Sequence, residues 1–132
     1  MLSVTSLAQV PPTVRDMIGR SQSVDAVWMV PDALLSDALT RRFIFSTALE
    51  AHKPVYGYSA AQVAEGALVS HVPDLASVGQ SAGELAGRIL AGQKPDRLPP
   101  VVPRADVVIN RKVASALRLA LSPQVVQAAK LF

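Results

Sequence analysis

The chain has no cysteine. Disulfides and thiolate metal sites are therefore excluded, although this alone does not fix the compartment. Aromatic residues make up only 5% of the sequence, so the core must be built mainly from Ala, Val and Leu. No apolar run approaches the ~18–20 uninterrupted residues of a membrane-spanning helix. The opening MLSVTSLAQVPP lacks a basic n-region and a long apolar h-region, so it makes a poor export signal. Taken at face value, that points to the cytoplasm if Met1 is the true start. Net charge is +3, but Lys and Arg are scattered and no basic run is interleaved with aromatics. Nucleic acid is not an expected partner. Neither GxGxxG nor GxxxxGK[ST] is present, and His71 has no His or Cys nearby at metal-ligand spacing. No cofactor and no metal site are expected.

What is present describes one globular α/β domain over residues 1–132. Half of the residues are apolar and 17% are charged, and a chain of this length can bury a core. The organising stretch is Val24–Asp32, VDAVWMVPD. Its short apolar run suits a strand buried on both faces of a parallel sheet, with Trp28 in the core. Pro31 cannot donate to a ladder and ends the strand. Asp32 then stands at the start of the next helix, where a carboxylate can cap free N–H groups.

Further elements follow in order. A short helix is expected over Thr13–Arg20, then a Ser21-Gln22-Ser23 loop feeding the opening strand. Apolar spacing predicts a helix over Ala33–Ala51, broken by His52-Lys53-Pro54. Val55–Tyr58 reads as a second strand, Ser59 as the cap of a helix over Ala60–Glu65, and Gly66 as its end. Ala67–His71 is a third strand, followed by Pro73-Asp74 and a helix over Leu75–Leu90. In that helix Gly79 and Gly83 leave a groove of small residues. Residues 93–104 hold four prolines and form an extended connector. Ala105–Ile109 is a fourth strand, Asn110 caps a helix over Arg111–Leu119, and a last helix covers Gln124–Leu131. Strands alternating with helices imply a mainly parallel sheet of about four strands with flanking helices.

The blocks VDAVWMVPD (24–32), KPVYGYS (53–59), EGALVSHVPDLASVGQSAGELAGRILAG (65–92) and VVINRKVASALRLALSPQVV (107–126) carry a resemblance through their order and spacing. Together they resemble the C-terminal half of ABC-transporter substrate-binding proteins of the type I periplasmic-binding fold, in the branch associated with aromatic amino acids and related small solutes. The resemblance implies capture of a small polar or aromatic solute between two lobes that close about a hinge. It also implies an ABC permease as partner and a periplasmic or extracytoplasmic setting. Members of the family are about twice as long, so the implied structural partner is an N-terminal lobe or a second copy of the chain. The segment matching Gly66–Gly92 is the one that packs with the first lobe in that family. A sensing or interaction module of the same fold, or a truncated fragment that binds nothing, is the alternative.

The resemblance places Asp32, Tyr58, Ser59 and Ser70 as candidate ligand contacts. Asp32 can meet an ammonium or hydroxyl, Tyr58 can stack on a ring, and Ser59 can hydrogen-bond polar groups. Each also has a purely structural reading: helix cap for Asp32 and Ser59, half-buried ring for Tyr58, ordinary loop for Ser70 and His71. Ser59, His71 and Asp74 contain the ingredients of a small hydrolase. The surrounding Gly57-Tyr58-Ser59-Ala60-Ala61, however, lacks the second glycine of a nucleophile elbow. The expectation is a binding protein and not an enzyme.

Overall fold

The computed structural model describes residues 4–20 and 24–132, so the Ser21-Gln22-Ser23 loop lies outside the described residues. Five strands form one sheet in the order β1-β2-β3-β4-β5. They are β1 (Val27–Trp28), β2 (Val55–Gly57), β3 (Val69–Pro73), β4 (Ala105–Ile109) and β5 (Ala129–Leu131). Parallel ladders join β1 to β2, β2 to β3, and β4 to β5. The β3–β4 pair is bracketed by Asn110 N–H to Leu68 O at one end and Asp74 N–H to Arg104 O at the other. That opposed register makes it the antiparallel step in a mostly parallel sheet.

The chain divides into two compact units, Met1–His71 with Val107–Phe132, and Val72–Asp106. Every buried apolar side chain belongs to the first unit, including Met29, Phe45, Ala48, Val63 and Val108. Its helices are α1 (Val10–Val14, continuing as a π-type turn over Arg15–Arg20), α2 (Ala38–Glu50), α3 (Ala60–Glu65), α5 (Arg111–Ala116) and α6 (Pro123–Ala128). Ile44, Phe45 and Ala48 of α2 are buried. In the parallel strands, Met29, Val55 and Gly57 are buried while their neighbours Trp28 and Tyr56 are not. The sheet therefore has one covered face here.

The second unit is the helix α4 (Leu75–Leu90) followed by the Pro-rich connector. Asp74 Oδ1 accepts from Ala76 N at 3.0 Å, and Ser77 Oγ accepts from Arg104 N at 3.0 Å. Ser77 is the one buried residue of α4. Leu75, Leu90 and Val102 are more than four-fifths exposed. A segment of under ~40 residues cannot enclose a core of its own.

Several boundaries differ from the sequence expectation, each for a physical reason. Trp28 is 74% exposed and not core, because β1 is an edge strand of two residues with a single ladder partner. The helix expected from Ala33 is split. A 3-10 turn over Leu34–Ser36 ends at Asp37, which restarts the chain as the N-cap of α2. The first helix begins at Val10, with Pro11 and Pro12 in its opening turn where no intrahelical donor is needed. The third strand runs later, over Val69–Pro73, so Ser70 and His71 lie within it and not in an ordinary loop. The final helix stops at Ala128, and Ala129–Leu131 becomes β5. Its strand pairing with Val107–Ile109 satisfies backbone that a short terminal helix would leave open. At Gly79 and Gly83 an added Cβ would meet nothing within 4 Å, so no described element fills the expected groove.

Asn110 ties the first unit together. Its Oδ1 accepts from Val113 N at 3.1 Å, as a cap should, and its Nδ2 donates to Val63 O at 2.7 Å. Asn110→Asp keeps the capping acceptor but removes the buried donor to α3. It is expected to destabilise the chain by ~1–3 kcal/mol; an unchanged urea midpoint would show that the Val63 bond contributes nothing.

Candidate functional site

The candidate site is built at the carboxyl ends of β1 and β2, the end of an open α/β sheet where ligands collect. After Met29, the chain turns through Val30-Pro31 to Asp32. Asp32 Oδ1 accepts from Leu34 N at 2.8 Å, and its carbonyl accepts from Ser36 Oγ at 2.9 Å. These bonds wind the Leu34–Ser36 turn. Asp32 is exposed, and within the described residues its Oδ2 makes no hydrogen bond.

On the neighbouring strand, Gly57 is followed by Tyr58 and Ser59. Ser59 caps α3, its Oγ accepting from Gln62 N at 3.3 Å. Tyr58 is half-buried, and its N–H donates to Gln62 Oε1 at 3.0 Å. Gln62 is the residue that the sequence reading passed over. It is 3% exposed, and an added Cβ on Gly57 would lie 2.9 Å from its Oε1. Gly57 is thus a glycine because the Gln62 amide occupies that space. Ala67 N–H donates to the Gln62 carbonyl at 2.8 Å, so Gln62 bonds the loops on either side of α3.

Two ionic contacts stiffen the rim. Arg41 on α2 donates from Nε to Glu65 Oε2 at 2.8 Å and from Nη2 to Glu65 Oε1 at 3.0 Å. Its Nη1 also donates to the carbonyl of Ser36. The hydrogen bond from Arg41 holds the Glu65 carboxyl below its ordinary range, and the same bond raises the guanidinium. The Asp37 carboxyl is lowered chiefly by the backbone N–H of Thr40. No sequence signal pointed to the Arg41–Glu65 pair, because the two residues are 24 positions apart.

The four sequence-derived candidates are placed differently. Asp32 and Ser59 follow adjacent strands, and Tyr58 sits beside Ser59. Ser70, at 0% exposure, is enclosed, with its hydroxyl 3.4 Å from the His71 carbonyl. His71 is exposed; its Nδ1 is hydrogen-bonded to the Tyr56 hydroxyl and its ring stacks on Tyr56 at 5.8 Å. Ser59, His71 and Asp74 are each engaged elsewhere, Asp74 with Ala76 N and with Arg104 at 3.7 Å. Among the described residues, no bond joins them as a triad, and no His/Asp/Glu group is placed to hold a metal. A hollow of about 520 Å³ between α2 and α3 is lined by Ala38, Leu39, Arg42, Ala64 and Glu65. Neither Asp32 nor Ser59 lines it, so volume alone does not mark the strand-end site.

A mostly parallel sheet with flanking helices is an open α/β fold, a class that takes ligands at its strand ends. The family model for ABC transporter substrate binding protein matches residues 1–131, and the chain belongs to that family, one of binding proteins and not of catalysts. Among solved structures, the chain is similar to an ABC domain in complex with L-Trp from Streptococcus pneumonia. Identity is 28% and the TM-score 0.66, over 98% of this chain and 44% of that one. A ligand-free, open substrate-binding protein with adhesive properties from Clostridium difficile shares the fold at 21% identity and a TM-score of 0.72. It is matched over 98% of this chain and 42% of its own length. A conserved domain protein from Vibrio cholerae matches at 24% identity and a TM-score of 0.65, over 98% and 43%. The chain therefore spans less than half the length of these structures. No curated protein matches it. Among the described residues, no helix is long and apolar enough to cross a membrane.

The Arg41–Glu65 pair has a pH signature. Glu65 has a depressed folded-state pKa, so its contribution is complete above the unfolded glutamate value of about 4.3 and is lost as pH falls through the folded value. Glu65 is 40% exposed, so the effect is that of a surface pair, at most ~1 kcal/mol. Melting temperatures of wild type and Glu65→Gln should differ at neutral pH and converge in acid. A gap that persists below the carboxylate range would assign the difference to something other than this ion pair.

Proposed function

We propose that this chain is the C-terminal portion of the solute-binding component of an ABC import system, and that it meets a small polar or aromatic solute through Asp32, Ser59 and Tyr58. The observation that supports the reading is that Asp32 and Ser59 each follow one of two adjacent parallel strands. One Asp32 oxygen winds the turn while the other has no partner among the described residues, which suits a contact with an ammonium group. Tyr58 supplies a ring, and Ser59 a hydroxyl whose donor capacity is not used by capping. Ser70 is fully enclosed, so it does not enter this reading as a contact. L-Trp, the molecule bound by the pneumococcal relative, is the natural first probe.

The other lobe is the implied structural partner. The unit Val72–Asp106 carries exposed Leu75, Leu90 and Val102, which fits a segment that packs against the rest of a two-lobed protein. A permease partner and an extracytoplasmic setting follow from the family. Closure of two lobes is what excludes water from such a cleft, so one lobe offers only half of the contacts.

Two outcomes are expected. Calorimetric titration of the 132-residue chain with L-Trp should give affinity weaker than micromolar; a tighter value would overturn the half-site argument. Backbone amide spectra with millimolar L-Trp should show shifts clustered around Asp32, Tyr58 and Ser59. Asp32→Asn preserves a capping oxygen and removes the charge, and should reduce those shifts. Shifts clustered elsewhere, or unaffected by Asp32→Asn, would reject the assignment of that carboxylate.

A further inference from the structure

We propose that Arg41 is a positioning residue that couples the Asp32 turn to the Ser59 helix, so that the two halves of the strand-end site move as one body. The inference rests on the reading of Asp32 and Ser59 as solute contacts, but its physical content is separate from it. Asp32 winds the turn Leu34–Ser36 through Leu34 N and Ser36 Oγ. The far end of that turn presents the carbonyls of Leu35 and Ser36, and Arg41 Nη1 donates to both, at 3.5 Å to Leu35. The opposite edge of the same guanidinium grips both oxygens of Glu65. Glu65 is the last residue of α3, whose first turn Ser59 caps.

Each end of this chain of contacts is stiff. α3 has six residues, closed by Ser59 Oγ to Gln62 N at one end and by Gly66 N to Gln62 O at the other. Glu65 and Ser59 therefore shift together. Arg41 is itself rooted on α2, where its N–H donates to Asp37 O at 3.1 Å, and its side chain is 16% exposed. Only the planar fork of arginine can serve a carboxylate and two carbonyls at once; a lysine ammonium on a flexible stem would have to choose. Arg42, the next residue, lies near Glu65 but makes no such fork, and provides a control.

The test perturbs one end and reads the other. In Glu65→Gln the turn keeps every direct contact of Asp32, so a merely local role leaves the turn unchanged. Coupling predicts that amide exchange at Leu34 and Ser36 accelerates by about threefold, the scale of one partly exposed ion pair, beyond any change at core amides such as Val108, which report global stability. Arg41→Lys should produce the same acceleration, and Arg42→Lys none. Unchanged Leu34 and Ser36 exchange in Glu65→Gln, or acceleration spread evenly through the core, overturns the proposal. Titration with L-Trp separates the two readings. Turn acceleration in a protein whose wild type shows no L-Trp shifts supports the coupling and removes the solute assignment. With binding present, Arg41→Lys should weaken it and Arg42→Lys should not.

Discussion

The buried amide of Asn110 holds four elements in place. It follows β4, its N–H donates to Leu68 O on the approach to β3, its Oδ1 starts α5, and its Nδ2 reaches the Val63 carbonyl on α3. Residues 47 positions apart are thereby fixed at hydrogen-bond length. A buried amide with both polar ends satisfied is costly to displace, because any shift leaves a donor or acceptor without water or protein. The return of the chain at Val107 is thus anchored to α3, the helix that presents Ser59. The helix that carries Ser59 at its start is tied to the end of β4 through this side chain.

The same economy of polar groups runs along the strand ends. Asp32, Asp37, Ser59, Asp74, Asn110 and Ser122 each accept from a backbone N–H two or three residues on. Such residues cluster there because helix starts leave N–H groups free. A parallel sheet places its helix starts next to its ligand-facing edge. Structural caps and solute contacts therefore come from one pool of side chains, and a carboxylate with two oxygens can belong to both.

This explains which parts could be read from the sequence. Ser59, Asp74 and Asn110 were visible because a capping residue announces itself one or two positions before an apolar pattern, whereas the cap of α2 is Asp37 and not Asp32. Helix α4 and strand β4 were visible for the same local reason. What escaped depends on distant partners. Trp28 sits in an apolar run that suits a core strand, but its burial is decided by whether another element covers it. The break at Asp37 was hidden because Leu34, Leu35, Ala38 and Leu39 keep helical spacing across it. Ala129–Leu131 became a strand only because β4 offered an open edge. The Arg41–Glu65 fork and the Gln62 amide beneath Gly57 bring together positions that no local pattern links.

The exposure of Trp28 has an optical consequence. It is the sole tryptophan in the chain, and its indole lies in water beside Tyr56, its register partner on β2. Its emission therefore reports on one face of the sheet with no background from elsewhere in the molecule. Whatever comes to lie over that face will move the indole from a polar to an apolar environment and shift its light to shorter wavelength, so the protein carries its own dye at the place where its architecture is open.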